Sequence, residues 1–70
     1  MKNSFRPGME QLKYADFPKA RREIMAALDI TSRTAWSQRM RGLVEPKKTE
    51  IEAIEAILKK YGVTKNIWGN

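Results

Sequence analysis

Five polar side chains between residues 33 and 41 share one side of a predicted helix, where they occupy an arc of about 140°. An arginine can donate two parallel hydrogen bonds to guanine, a glutamine can form the matching pair with adenine, and hydroxyls reach phosphates or base edges. No acidic residue interrupts the arc. The pattern favours a surface for the major groove of DNA, although ordinary solvated helix faces carry the same residue types. The five residues are Arg33, Thr34, Ser37, Gln38 and Arg41.

The opposite side of this helix carries Ala35, Trp36, Met40 and Leu43. An apolar side of this kind predicts that the helix is anchored in a hydrophobic core. Aromatic side chains in nucleic-acid-binding proteins can also stack on bases. The position of Trp36 on the apolar side favours the core.

Arg39 also projects to the inner side, between Ala35 and Leu43. A half-buried guanidinium needs a carboxylate partner, while its stem packs as apolar surface. We therefore expect a structural ion pair for Arg39 and no contact with a base. The candidate partners are Glu23, Glu45 and Glu50.

Local signals give this helix its ends. Ser32 is a good N-cap, and Gly42 can adopt the left-handed conformation that stops a helix, so the helix is predicted over residues 33–41. A preceding helix is predicted over residues 18–28, with Pro18 in its first turn and Asp29 in the tight turn that follows. Its apolar stripe is formed by Ala20, Ile24, Ala27 and Leu28, and Lys19 lies off that stripe.

A third helix follows, with Ile51, Ile54, Leu58 and Tyr61 on one side. Two start signals compete: Pro46 in a first turn, and a capping box between Thr49 and Glu52. Gly62 should end the helix, with Val63 folding back on Leu58 in a Schellman closure. Thr64 could cap a final turn that carries Ile67 and Trp68, and Trp68 could cover either the core or a partner subunit.

The first seventeen residues give no single prediction. Pro7-Gly8 is a turn signal, and the apolar residues from Met9 to Phe17 fit neither the helical nor the strand period. This part is either a short first helix or an extended basic arm containing Lys2 and Arg6.

The charge of the chain is basic and unevenly distributed. Seventy residues carry 14 Lys and Arg against 8 Asp and Glu, a net charge of +6. Residues 1–44 hold nine basic and four acidic residues, and residues 45–70 hold five and four. A concentrated positive charge is typical of phosphate binders.

Composition also excludes several classes of protein. The chain has no Cys and no His, which excludes disulfides and disfavours a zinc site. Neither clustered acids nor a glycine-rich phosphate loop is present, so we expect no enzyme, no cofactor and no small-molecule substrate. No apolar run approaches the ~18 residues of a membrane span, so we expect a soluble, cytoplasmic protein with no membrane partner.

The motifs together resemble the phage-repressor-like (Cro/CI-type, lambda-repressor-like) helix-turn-helix family over roughly residues 18–63. The resemblance is carried by Ile24, Leu28 to Thr31, Thr34 to Trp36, Arg39 to Gly42, Pro46, Ile51, Ile54, and Tyr61 to Val63. Asp29 stands where that family usually has glycine, and Met25 where it usually has alanine. The resemblance implies an all-α bundle in which residues 18–70 form the DNA-binding domain and residues 1–17 the arm or first helix.

In that family the second helix of the motif enters the major groove, and dimers read half-sites about one helical turn apart. The resemblance therefore implies a transcriptional regulator that binds double-stranded DNA, with a homodimer as one possible state. The implied contact residues are Ser32, Arg33, Thr34, Ser37, Gln38 and Arg41, and Lys19 is added as a phosphate contact. The alternative is a protein-interaction module, antitoxin-like or an assembly subunit, that uses Ile67, Trp68 and the third helix. RNA binding is less favoured, because the glycine- and aromatic-rich signatures of common RNA modules are missing.

Overall fold

Four α-helices form the secondary structure of this protein, for which the computed structural model describes residues 3–69. They are α1 (Arg6–Glu10), α2 (Phe17–Leu28), α3 (Arg33–Met40) and α4 (Lys48–Lys60). Within residues 3–69 there is no β-strand, and the only bridge of that kind is an isolated antiparallel pair, Ser4 with Gly69. The expected all-α class is confirmed.

The three longer helices end in the same way. Asp29, Gly42 and Gly62 have φ angles of 57°, 82° and 91°, the left-handed conformation that reverses the chain after a helix. After α4, the Val63 amide donates to the Leu58 carbonyl at 2.9 Å, which is the long hydrogen bond of a Schellman motif. The left-handed stops expected from the sequence are confirmed, including the one at Asp29.

α2 and α4 pack against each other and supply much of the core. Ile24 and Leu28 of α2 meet Ile54 and Leu58 of α4, and Ile24 and Leu58 have no exposed surface. Ala27, expected on the apolar stripe of α2, is exposed. The other buried members of the core cluster are Phe5, Met9, Trp36, Val63 and Ile67.

The first residues belong to this core. Phe5, the N-cap of α1, and Met9, within α1, are each 1% exposed. The interpretation of Pro7-Gly8 as a turn is wrong, because both residues lie inside α1. Gly8 is buried so closely that a Cβ there would lie 2.9 Å from side-chain atoms of its neighbours. An extended arm is therefore wrong for residues 4–10, and Lys2 lies outside the described residues.

The last residues run beside the first ones without forming a helix. The expected final turn after Thr64 is wrong, because residues 64–69 contain no helical residue. The Ser4 amide donates to the Gly69 carbonyl at 3.0 Å, and the Gly69 amide donates to the Ser4 carbonyl at 2.8 Å. The Gln11 side chain donates to the Lys65 carbonyl at 2.8 Å. These hydrogen bonds hold residues 65–69 beside residues 4–11, and Ile67 is buried there.

Neither expected start signal of α4 is used. The helix begins at Lys48, after Pro46, and the Glu50 carboxylate accepts a 2.9 Å hydrogen bond from the Lys47 amide. The returning hydrogen bond of the expected box is therefore made by Glu50, at the third helical position, and not by Glu52. The Lys47 side chain has no acceptor and cannot supply the other half of the box. Thr49 lies within the first turn of the helix.

A polar cluster joins the far end of α4 to α2. The Tyr61 hydroxyl and the Lys60 ammonium both donate to the Glu23 carboxylate. Hydrogen bonds from Lys60 and Tyr61 hold the pKa of Glu23 below its ordinary value. In the part of the chain from residue 3 to 69, no helix has the length and apolar character needed to cross a lipid bilayer.

Candidate nucleic-acid interface

Ser32 fixes where α3 begins. Its backbone is extended, and its Oγ accepts a hydrogen bond of 3.1 Å from the Ala35 amide. This is an N-cap, so Arg33 is the first helical residue, and the start of the helix expected from the sequence is confirmed. The hydroxyl proton of Ser32 is not used in the cap and can still be donated to an outside acceptor.

The outer face of α3 presents the polar residues that the sequence placed there. Arg33, Thr34, Gln38 and Arg41 are exposed, and Ser37 is half-buried. The helix has no acidic residue in its first turn and is acid-free over its whole length. The face therefore offers guanidinium, hydroxyl and carboxamide groups to a ligand with no nearby carboxylate on the same helix.

Arg41 lies directly after the last helical residue, yet it stays on this face. Its backbone angles, −80° and −4°, continue the helical direction by one residue. Its Nε group donates to the Ser37 carbonyl at 3.4 Å, which holds the side-chain stem along the helix. The terminal nitrogens of the guanidinium take no part in that bond and can still donate to a ligand.

Lys19 is the one expected contact residue that lies on another element. It is exposed in the first turn of α2. The other six, from Ser32 to Arg41, are brought together by α3 and its caps.

Trp36 is the only residue of α3 that is fully within the core. Its side chain is 7% exposed, and its ring meets the Phe5 ring edge to face at a centroid distance of 5.4 Å. Such aromatic pairs add about 0.5–1.5 kcal/mol beyond the area they bury. The core interpretation of Trp36 is confirmed, and its ring is not available for stacking on a base.

Arg39 forms the expected ion pair, with the third of the three candidates. Its Nη2 atom lies 2.6 Å from Glu50 Oε1, and the two side chains are 16% and 19% exposed. Contact with Arg39, assisted by the Lys47 amide, holds the pKa of Glu50 below its ordinary value of 4.5. The pair connects α3 to the first turn of α4.

Ser4 also holds the carboxyl end of α3, and this contact was not anticipated from the sequence. It is 2% exposed, and its Oγ donates to the Met40 carbonyl at 2.8 Å. A Cβ on Gly42 would lie 2.6 Å from the Ser4 backbone nitrogen, so the two segments touch backbone to backbone. No sequence signal could have identified this contact, because the hydrogen-bonded residues are 36 positions apart.

The expectation that Leu43 lies on the inner, apolar side of α3 is wrong. Its side chain is 66% exposed, and that of Val44 is 40% exposed. The helical projection fails there because α3 ends at Met40 and Gly42 turns the chain to a positive φ. Leu43 is therefore outside the core.

No protein-family model matches the chain, and neither a curated protein nor a solved structure is detectably similar to it. What α3 can bind is therefore inferred from its own side chains and from the elements that hold them.

Proposed function

We propose that this protein binds double-stranded DNA and is a transcriptional regulator of bacterial or phage type. In this proposal α2 and α3 form a lambda-repressor-like helix-turn-helix, and α3 lies in the major groove. The observation that carries the proposal is α3 itself: a helix with an acid-free polar outer face that is held to the protein at its carboxyl end and by one buried aromatic.

The dimensions of α3 support this arrangement. Eight helical residues extend about 12 Å. A helix with its side chains is about as wide as the major groove of B-DNA, so the outer face can approach base edges without distortion of the duplex. The connection from α2 to α3 consists of residues 29–32 and brings the two helices close together.

Each exposed residue of the face has a proposed role. Arg33 and Gln38 read base edges, since their planar groups can form paired hydrogen bonds with guanine and adenine. Ser32 and Thr34 donate their hydroxyls to phosphates or base edges. Lys19 contacts a phosphate from α2. The remaining residues of the face, Ser37 and Arg41, complete the contact surface.

Rigid attachment is the second support for the proposal. A base-reading side chain discriminates only if the helix that carries it is held in a fixed position. α3 is held by the Ser4 hydroxyl at its carboxyl end, by the ion pair of Arg39, and by Trp36 in the core. None of these contacts uses a residue of the outer face.

A selection from a random duplex library, read by gel shift at two salt concentrations, tests the proposal. We expect one enriched sequence, and a palindrome with half-sites about one turn apart if a homodimer binds. The double variant Arg33→Ala/Gln38→Ala should lose the enrichment, because each good base contact that it removes contributes about 1–3 kcal/mol of discrimination against the wrong base. The control is Lys48→Ala/Glu52→Ala, which truncates two exposed residues of α4.

Two results would contradict the proposal. Binding without any enriched sequence would reduce the function to non-specific association with DNA. Equal binding by the double variant and the control would remove the outer face of α3 from the interface. The alternative function, a protein-interaction module built on Ile67 and Trp68, is less supported, because Ile67 is 8% exposed and Trp68 packs against Phe5.

A further inference from the structure

A long apolar depression lies between α1 and the start of α2. It has a volume of about 560 Å³, and Leu12, Phe17 and Pro18 contribute to its walls. Tyr14 stands at its edge with 96% of its side chain exposed. Tyrosine in such a position is common at protein interfaces, where its ring supplies contact area and its hydroxyl stays in water.

A second depression, of about 410 Å³, lies further along the same helix. Met25 and Ala26 line it together with Ile30 of the following turn. Arg21 lines both depressions, and Arg22 lines the second. These α2 residues form what we call the outer face of α2. It is apolar near each end of the helix and carries two arginines in between. Its residues are Phe17, Pro18, Arg21, Arg22, Met25 and Ala26.

Two positive charges lie between the depressions. Arg21 and Arg22 are exposed, and neither forms an ion pair with another residue of the range 3–69. Glu10 is the one carboxylate on the lining of either depression, and it lies 3.5 Å from Arg6. A partner that fits this face must bring apolar groups at two points and negative charge between them.

The spacing defines the shape of that partner. Phe17 and Met25 are eight residues apart on α2, which corresponds to about 12 Å along the helix axis. A second helix laid along α2 covers this distance with apolar residues at positions i and i+7 or i+8. Carboxylates at i+3 and i+4 of that helix would lie beside the arginine pair.

We propose that the outer face of α2 is a docking surface for an acidic amphipathic helix of another protein. The partner's two apolar side chains occupy the depressions, and its carboxylates pair with Arg21 and Arg22. No residue of the outer face of α3 lines either depression, so the inference does not depend on DNA binding.

Charge complementarity selects this occupant over two others. A second copy of the chain would bring four arginines together in a protein that already carries +6. A DNA backbone would satisfy the arginines but offers no apolar groups to fill the depressions beside them. An acidic helix satisfies both parts of the face.

A fluorescein-labelled helical peptide of 15 residues can serve as the probe. It carries Leu at positions 4 and 11 and Glu at positions 7 and 8, in a background of Ala and Gln. We expect saturable binding in fluorescence anisotropy, and amide shifts in NMR spectra confined to residues 9–31. Peptides with Lys at positions 7 and 8, or with Ala at positions 4 and 11, should bind about tenfold more weakly or not at all.

Matched protein variants separate this surface from general charge. Arg21→Glu/Arg22→Glu and Lys48→Glu/Lys59→Glu each change the net charge from +6 to +2, because two positive charges become two negative ones. We expect the first variant to weaken peptide binding about tenfold and the second to leave it within about twofold. Ala15→Glu places a carboxylate beside the first depression and should weaken peptide binding. Its control is Ala56→Glu on α4, which should leave peptide binding unchanged.

Several outcomes would overturn the inference. Equal loss of peptide binding in both double variants would mean general electrostatic attraction. Concentration-dependent amide shifts on this face without peptide would identify a second copy as the occupant. If Arg21→Glu/Arg22→Glu weakened DNA binding as much as Arg33→Ala/Gln38→Ala does, the arginines would be phosphate contacts. Peptide binding at millimolar concentration or weaker would leave the depressions without this function.

Discussion

α3 and α4 are held in this protein by different means. α4 has thirteen residues and its own apolar stripe, with Ile54 and Leu58 fully inside the core. α3 has eight residues and one buried side chain, Trp36. A polar helix this short is not stable alone, so its position depends on contacts from distant parts of the chain. The helix that contributes least to the core is therefore the one whose surface remains free for a ligand.

The largest expected effect on stability comes from truncating a buried apolar side chain of α4. Ile54→Ala should lower the free energy of unfolding by about 2–5 kcal/mol, which is most of the stability of a domain this small. Urea denaturation followed by circular dichroism measures it. Gln38→Ala on α3 is the comparison and should change stability by less than about 0.5 kcal/mol. A loss below about 1 kcal/mol for Ile54→Ala would contradict the division between the two helices.

Two glycines with similar left-handed φ angles, Gly42 and Gly62, can be compared to test how α3 is held. Gly62 ends α4 at φ 91° with nothing within 4 Å of an added Cβ, while Gly42 ends α3 at φ 82° with the Ser4 nitrogen 2.6 Å away. Gly62→Ala should cost about 1–2 kcal/mol from the left-handed conformation alone. Gly42→Ala should cost at least about 1 kcal/mol more, because the Ser4 segment must also move.

The same pair of variants connects stability to the proposed function. If the Ser4 segment positions α3, Gly42→Ala should weaken binding to the selected DNA, measured where the variant is folded, and Gly62→Ala should leave it unchanged. Equal unfolding free energies for the two variants would show that the contact of Ser4 with Gly42 does not constrain α3.

The ion pair between α3 and α4 should give a pH-dependent contribution. Because the pKa of Glu50 is lowered in the folded state, the stabilisation is present above its ordinary value of 4.5 and is lost as the pH falls through the folded value. Arg39→Met should cost about 1 kcal/mol at pH 7, and the difference from the unmodified protein should shrink and disappear as the pH falls below 4.5 and through the lowered pKa of Glu50.

Acid denaturation of the two proteins in parallel measures that difference. Glu23 also has a lowered pKa, but it is common to both proteins and cancels. Arg41→Met is the matched control on the exposed face, and its stability should follow that of the unmodified protein at every pH. A constant difference between Arg39→Met and the unmodified protein from pH 7 to pH 3 would mean that packing, not charge, connects the two helices.

The smallest expected effect is that of a single phosphate contact. Lys19→Ala should leave stability unchanged and reduce the slope of log K against log salt concentration by about one, if Lys19 neutralises one phosphate. Lys59→Ala, an exposed residue of α4, should leave the slope unchanged. An unchanged slope for Lys19→Ala would remove this residue from the proposed interface.

Features decided by near neighbours in the chain were predictable. The cap at Ser32 and the left-handed residues Asp29, Gly42 and Gly62 depend on hydrogen bonds and steric limits within a few residues, and all were correctly predicted. The start of α4 was not, because two weak signals competed within seven residues and Glu50, which also contacts Arg39, supplies the capping hydrogen bond instead.

Features decided by distant parts of the chain could not be predicted. Pro7-Gly8 reads locally as a turn, yet it lies in a helix because Gly8 fits against Ile67 and Leu58. Leu43 was placed inside by a helical projection that continues past the true end of α3, and it is 66% exposed.

By itself the sequence determined the helices that have periodic apolar residues, the cap of α3 at Ser32, the left-handed residues that end α2, α3 and α4, and the acid-free polar arc of α3. These features follow from spacing along one segment. The sequence also limited the partners of Arg39 to three carboxylates. Only the tertiary structure selected Glu50, brought Ser4 to the end of α3, and paired the two ends of the chain. Those contacts join residues far apart in sequence, and their energy is gained only after the core of α2 and α4 has brought the segments together.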